Sequence, residues 1–427
     1  MRLFHRMCLL ALTSGLFAAA GHFQSSAAPT ANVEDLQQAA TEDQADDLHC
    51  AVAWLTQTAQ QMIRASRRTM PNGVAAFLPQ VGSQYNAFWL RDYAYMLEGC
   101  GEVFSDQELV DAARTFVEAQ RADGAGVDTI KLDGTAIYKP GFGKLGVHPV
   151  ADGSPFTVEV LWYAYQRTKD VALLHRWINS LEKAMAATPR NEQNGLVHIR
   201  PGEPLDRCPY GFTDTIPKQG DVLFCSLLYV QASRQMADLY RSLQRLEEAQ
   251  YWNDEAKRVA TSIREVFWRP EESLFRAATV QCNQPDIWGS AFAVYLGVAD
   301  QRQSQAIAHY FQQNYNGLVQ AGQLRHLPAG MYWEAVPYKD RYQNGGYWAT
   351  PVGWFVYTLD LVDPTLANQT ILDLVHDFQR RGIHEWVLDQ QLAVADYNAS
   401  GALPLAGIRR MLARRASVAR SLPKVNK

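Results

Sequence analysis

A chain of 427 residues is long enough for one large domain or two ordinary ones. With 20% charged and 47% hydrophobic residues it has the make-up of a soluble globular protein. A net charge of −4 without a basic stripe excludes nucleic acid as an expected partner.

The first stretch predicts a secretory signal rather than part of a fold. Arg2 and Arg6 flank an apolar run from residue 7 to 20, and the small residues Ser25, Ser26, Ala27 and Ala28 offer a cleavage site. The run is too short to span a membrane. Residues 1–28 are therefore set aside as a signal peptide, and the protein is expected to be secreted or periplasmic, with no membrane contact after cleavage. Residues 29–45, acidic and rich in Ala and Gln, are expected to form a flexible arm, 46–413 a single domain, and 414–427 a basic tail. Beyond Cys8, five cysteines remain: Cys50, Cys100, Cys208, Cys225 and Cys282. An odd, widely spaced set is neither a disulfide framework nor a zinc pattern. One bridge, Cys50–Cys100 or Cys208–Cys225, is compatible with export, while apolar neighbours favour buried thiols at Cys100 and Cys225.

From there on, helical periodicity dominates. Helices are expected at about 46–68, 90–103, 106–121, 154–168, 171–187, 220–242, 246–267, 287–297, 302–314, 351–362, 365–380 and 398–413. Ser105-Asp106 and Asp363-Pro364 are start signals and Gly382 is a stop signal. Alternation of strand type is confined to 195–200 and 273–280. The connections after every second helix are short; the others are long and rich in Gly, Pro, Trp and Asn, and such loops are usually functional. Twelve helices in six hairpins make an all-α (α/α)6 barrel, with the long loops gathered at one end.

Carboxylates beside aromatic rings recur in those loops. Asp152 stands in a Gly/Ser/Pro turn before a helix, where it is either an N-cap or an acid whose pKa Phe156 and Trp162 could raise. Glu385, beside Trp386, is either an exposed loop carboxylate or a base. Arg91 and Asp92, after Trp89, are either helix-capping and ion-pairing groups or contacts to a substrate. Asp214 is a rival to Asp152, and Glu334, after Trp333, a rival to Glu385. Asn344 with Gly345-Gly346 suits a tight turn before Trp348. Asp286 and Trp288 are weaker candidates. Aromatic faces that stack on sugar rings, with carboxylates for proton transfer, imply a carbohydrate ligand. The ten His lack metal-ligand spacing, and phosphate-loop, dinucleotide and Gly-x-Ser-x-Gly signatures are absent, so no metal and no cofactor is expected. The oligomeric state is not legible.

In order along the chain, Phe88-Trp89-Leu90-Arg91-Asp92, then Pro149-Val150-Ala151-Asp152-Gly153-Ser154, then Asn344-Gly345-Gly346-Tyr347-Trp348, then Glu385 ahead of Tyr397-x-Ala399-Ser400-x-Ala402 resemble motifs of the six-hairpin glycosidases. The order is similar to that of the neutral/alkaline invertases and trehalase-like hydrolases. Pro155-Phe156 stands where that family has paired Trp, and His-Glu-Trp-Val where it has Pro-Glu-Tyr-Tyr. The resemblance implies an inverting glycoside hydrolase acting on α-linked glucosides or short glucans, with Asp152 as general acid and Glu385 as general base. It also implies Trp89, Arg91, Asp92, Asp214, Trp333, Glu334, Asn344, Trp348 and Trp386 around the substrate. The alternatives on the same barrel are a sugar epimerase, a polysaccharide lyase and a non-catalytic glycan-binding protein.

Overall fold

A computed structural model describes residues 33–140, 145, 148–202 and 204–421. The expected signal peptide lies outside the described residues. The chain divides into a unit of residues 1–46 and a unit of residues 47–427, and every element beyond the start of the first helix lies in the second.

The twelve expected helices are all present: α1 (Val33–Ala65), α2 (Leu90–Cys100), α3 (Asp106–Glu118), α4 (Gly153–Thr168), α5 (Val171–Ala187), α6 (Leu223–Ser242), α7 (Leu246–Phe267), α8 (Ile287–Tyr295), α9 (Gln301–Gln313), α11 (Val352–Leu359), α12 (Pro364–Arg381) and α13 (Asn398–Ser421). A one-turn helix, α10 (Tyr315–Leu318), is additional. Helix α1 is assigned from Val33, so helical backbone reaches back into the expected arm, and α13 runs on into the expected tail as far as Ser421.

Local chemistry sets the hairpin turns. Ser105 and Glu108 form a reciprocal capping box on α3, Asp300 and Gln303 do the same on α9, and Asp363 caps α12 with Pro364 in its first turn. Gly382, at φ 87°, ends α12.

Packing then builds the barrel. Helices α2, α4, α6, α8, α11 and α13 pack in that order, and α13 returns to α2, closing the ring. Every residue of α8 is buried, as are all but one each of α2 and α11, so these helices have no polar stripe. Helices α3, α5, α7, α9 and α12 each bury one face only, as an outer layer must. This is the (α/α)6 architecture. Glycine makes the closure tight: a Cβ on Gly99 would lie 1.9 Å from the Ala402 carbonyl oxygen, and one on Gly407 2.0 Å from that of Gly353. The barrel axis is plugged by rings. Phe224 stacks on Phe292 at 5.0 Å, Phe292 meets Trp354 at 4.5 Å, and Tyr95 joins from α2. Full burial of such a ring contributes roughly 1.5–3 kcal/mol.

Strands occur where the sequence predicts long loops. Three short antiparallel pairs are β1 (Arg67–Thr69) with β2 (Ala75–Phe77), β6 (His198–Ile199) with β7 (Gly220–Asp221), and β8 (Trp268–Arg269) with β9 (Leu274–Phe275). β3 (Ala87–Trp89), β4 (Thr129–Lys131) and β5 (Ala136–Ile137) form a three-stranded antiparallel sheet. A five-stranded antiparallel sheet joins β10 (Val319–Gln320), β11 (Gln323–Arg325), β12 (Tyr347–Trp348), β13 (His384–Leu388) and β14 (Gln391–Ala395) in that order. The β13–β14 hairpin is missed by helical-period reasoning. Its turn, with Asp389 at φ 51°, joins two five-residue runs. No disulfide is present among the described residues; Cys100, Cys208, Cys225 and Cys282 are buried thiols.

Candidate active site

Above the aromatic plug lies a cavity of about 540 Å³ lined by Pro79, Gln84, Tyr85, Trp89, Arg91, Asp92, Asp128, Pro140, Gly211, Phe212, Asp214, Thr215, Tyr342, Glu385 and Tyr397. Its floor is Phe212, stacked on Tyr95 with ring centroids 5.5 Å apart.

Each carboxyl is delivered by a distinct element. Asp92 sits in the first turn of α2 and accepts a hydrogen bond from the Tyr397 hydroxyl at 2.6 Å. Pairing of β3 with β4 brings Asp128 beside α2, where Leu90 N donates to the Asp128 carbonyl at 3.1 Å. Glu385 lies on β13, not in a loop. Side chains alternate along a strand, so Glu385 faces the cavity while Trp386 turns away and packs on Gly346. The Tyr85 hydroxyl donates to Glu385 Oε1 at 2.9 Å. Asp214 follows a one-turn 3₁₀ helix (Gly211–Thr213), and Gln343 Nε2 donates to its Oδ1 at 2.7 Å.

Burial raises all four. Glu385 is pushed up to about 8, with Tyr85 pulling the other way and the charges of Asp92 and Asp214 adding to the rise. Asp128 rises to about 7 against the pull of Arg91, and Asp92 to about 6 against the Tyr397 bond. Asp214 is raised by burial, offset in part by the Gln343 bond, by Arg91 and by the Tyr342 hydroxyl.

Asp152, the expected acid, is placed otherwise. It is fully buried and does not line the cavity. Arg91 Nε reaches its Oδ2 at 2.6 Å and Arg91 Nη2 its Oδ1 at 3.1 Å, while Gly211 N donates to Oδ2 at 3.2 Å. Nor does its side chain cap α4. Arg91 Nη2 also reaches Asp128 at 3.1 Å. A Cβ on Gly211 would lie 1.8 Å from the Arg91 guanidinium carbon, so the loop that carries Asp214 rests directly on the Arg91–Asp152 pair.

Five other expected contacts stand back from the cavity. Trp333 belongs to a small separate cluster with Ile216, Cys282 and Leu327. Glu334 is exposed, and its Oε1 accepts from Cys282 N at 2.6 Å. Asn344 is buried, accepting from Trp333 N and donating to the Tyr338 carbonyl, each at 2.6 Å, so it braces its own loop. Trp348 is fully buried against Phe212 and Tyr342. Trp386 is buried behind Tyr342. Asp286 caps α8 and pairs with His326, on which Trp288 stacks. Of the expected set, Trp89, Arg91, Asp92, Asp214 and Glu385 converge. Sequence reasoning missed Asp128, Tyr85, Tyr342 and Gln343. Among the described residues no cluster of metal-ligating side chains occurs, and no helix is long and apolar enough to cross a membrane.

By sequence the chain matches no family model and no curated protein. Its fold does have solved counterparts. A GH63 mannosylglycerate hydrolase from Thermus thermophilus, in complex with glucose, aligns with a TM-score of 0.60 at 16% identity, covering 83% of this chain and 100% of that one. A rhamnosidase from Klebsiella oxytoca with rhamnose bound aligns at 0.54 and 15%, covering 77% of this chain and 58% of that one. A GH78 rhamnosidase of a Bacillus species gives 0.54 and 14%, covering 83% and 34%. The chain thus spans about three fifths of the Klebsiella enzyme and one third of the Bacillus enzyme. What the chain shares with these structures is the fold, the (α/α)6 barrel. The narrower likeness to invertases and trehalases rests on the sequence motifs alone.

Proposed function

We propose that the protein is a glycoside hydrolase that inverts configuration, with Asp214 as general acid and Glu385 as general base. The observation that carries this is the pair of carboxyls, from separate elements, that face one cavity without being tied to a cation; burial raises Asp214, as an acid requires. Asp92 is engaged by Tyr397, and Asp128 and Asp152 by Arg91. The segment around Glu385 resembles that of a general base, which leaves the acid to Asp214. Protonated Asp214 gives its proton to the leaving oxygen, and ionised Glu385 draws a proton from the attacking water. Asp92, Asp128 and Trp89 then hold sugar hydroxyls and a ring face. Asp152 enters this scheme only as the support of the Asp214 loop.

Arg91 is saturated by two carboxylates, and no other cation is among the described lining residues, which favours a neutral sugar over a uronide. α-Linked glucosides or short glucans are proposed on the motif resemblance. No histidine is among the described lining residues. Burial pushes the hydroxyls of Tyr85, Tyr342 and Tyr397 up, which makes them poor bases. Both points favour hydrolysis over an epimerase or lyase. Export, proposed from the basic flank and apolar run of residues 1–28, would place the substrate outside the cytoplasm.

A hydrolysis screen over aryl glycosides and α-linked disaccharides, read by proton NMR, reports substrate and stereochemistry together. Turnover with inverted anomeric configuration is expected. A retained configuration would contradict the scheme, because it requires a nucleophile close to the acid.

A further inference from the structure

We propose that Gln343 is a positioning residue that decides which oxygen of Asp214 carries the transferable proton. This rests on Asp214 being the general acid.

The orientation of the Gln343 amide is fixed by its neighbours. Thr215 N can only donate, and it lies 3.0 Å from Gln343 Oε1, which also accepts from the Thr215 hydroxyl at 2.7 Å. The amide nitrogen must then face Asp214, and it donates to Oδ1 at 2.7 Å. In a protonated carboxyl the carbonyl oxygen is the better acceptor. An N–H held against Oδ1 therefore makes Oδ1 the carbonyl and leaves the proton on Oδ2. A free aspartate has a broad, roughly two-fold χ2 and presents either oxygen. The clamp removes that choice before substrate arrives, which is where orientation lowers a barrier.

The surrounding loop is built to hold the clamp. Gln343 is almost fully buried. Its neighbour Tyr342 has φ 49°, in the left-handed region that non-glycine residues avoid. Such a conformation persists only where the surroundings over-determine it. Here the Asn344 side chain ties Trp333 N to the Tyr338 carbonyl, and Gly346 N donates to the Tyr342 carbonyl at 3.0 Å. The Thr215 hydroxyl bonds to the Tyr338 hydroxyl as well, joining the two loops. Asn344 thus fixes the loop, and Gln343 uses that fixed loop to hold the acid.

The test is infrared difference spectroscopy of the full chain across a pH titration. The Asp214 carboxyl band is assigned by its loss in Asp214→Asn. In Gln343→Leu the protonated band is expected to move to higher wavenumber, because its C=O loses a donor, and its titration midpoint to rise, because the ionised form loses one too. An unmoved band would overturn the proposal even if the midpoint rises, since a proton on Oδ1 leaves the other oxygen's C=O untouched by Gln343. Gln343→Glu keeps the shape should the leucine variant not fold. Its donor exists only while protonated, so the Asp214 midpoint should split into a coupled pair, and a single unshifted midpoint would count against the clamp. In turnover, Gln343→Leu should lose on the order of 10²-fold in kcat on an O-glycoside with KM little changed. Should Asp214→Asn lose activity equally on an O-glycoside and a glycosyl fluoride, the acid assignment itself fails, whatever the spectra show.

Discussion

Arg91 grips Asp152 with two nitrogens, at 2.6 and 3.1 Å, and the backbone N–H of Gly211 closes on the same carboxylate. An aspartate that the motif order marks as a proton donor is thereby the foundation of the loop that presents a different aspartate, Asp214.

Breaking a buried ion pair by removing one partner costs about 3–5 kcal/mol, because the other charge is left behind. Asp152→Asn should cost about 3 kcal/mol, the lower end, since Asp128 still faces Arg91. Urea unfolding measures it. A loss well under about 1 kcal/mol would show that the pair does not hold the loop.

The two limbs of kcat/KM report the acid and the base of the free enzyme. Glu385 must be ionised while Asp214 stays protonated, and Glu385 is pushed up to about 8, so kcat/KM should be bell-shaped with one limb in that region rather than both in the ordinary carboxylate range. The Tyr85 bond favours the ionised form. Tyr85→Phe should therefore move that limb to still higher pH, and a pH–rate profile with the limb unmoved would separate Tyr85 from the base.

Stability should carry the same signature. Glu385, Asp128 and Asp92 titrate at about 8, 7 and 6 in the folded chain, above their ordinary values. Between the ordinary value and the folded one, the native state binds more protons than the unfolded state. Stability contributed by these groups is therefore full at low pH and falls as pH rises through that window. Glu385→Gln removes the largest share. Its Tm should match that of the native chain near pH 4 and exceed it above pH 8, where burying an ionised Glu385 costs most. Parallel Tm–pH curves would contradict the burial of Glu385.

The helical frame was legible because its signals are local. Capping residues such as Ser105 and Asp363, and apolar periods over ten or more residues, need no tertiary information. The cavity was half legible. Asp92 and Glu385 announce themselves by aromatic neighbours, and both line it. Asp152, Asn344 and Trp348 announce themselves in the same way and turn out to support it, because a motif records that a side chain is constrained, not which way it points. Asp128 and Gln343 carry no local signal. Asp128 matters because β4 pairs with β3, and Gln343 because a loop more than a hundred residues downstream folds back over Asp214. The β13 strand that aims Glu385 left no readable trace: His-Glu-Trp-Val-Leu and Gln-Leu-Ala-Val-Ala do not alternate, and they lie between helical patterns on both sides.

The central claim is that Asp214 donates the proton and Asp152 does not. The direct measurement compares Asp214→Asn with Asp152→Asn on the best O-glycoside from the hydrolysis screen and on the matching glycosyl fluoride, whose leaving group departs unprotonated. Asp214→Asn should lose about 10²–10⁴-fold on the O-glycoside, the range of general acid catalysis, and keep much of its activity on the fluoride. Asp152→Asn should lose activity on both in the same proportion, as a displaced loop would. The reverse pattern, with the fluoride rescuing Asp152→Asn and not Asp214→Asn, would return the acid to Asp152 and contradict the account.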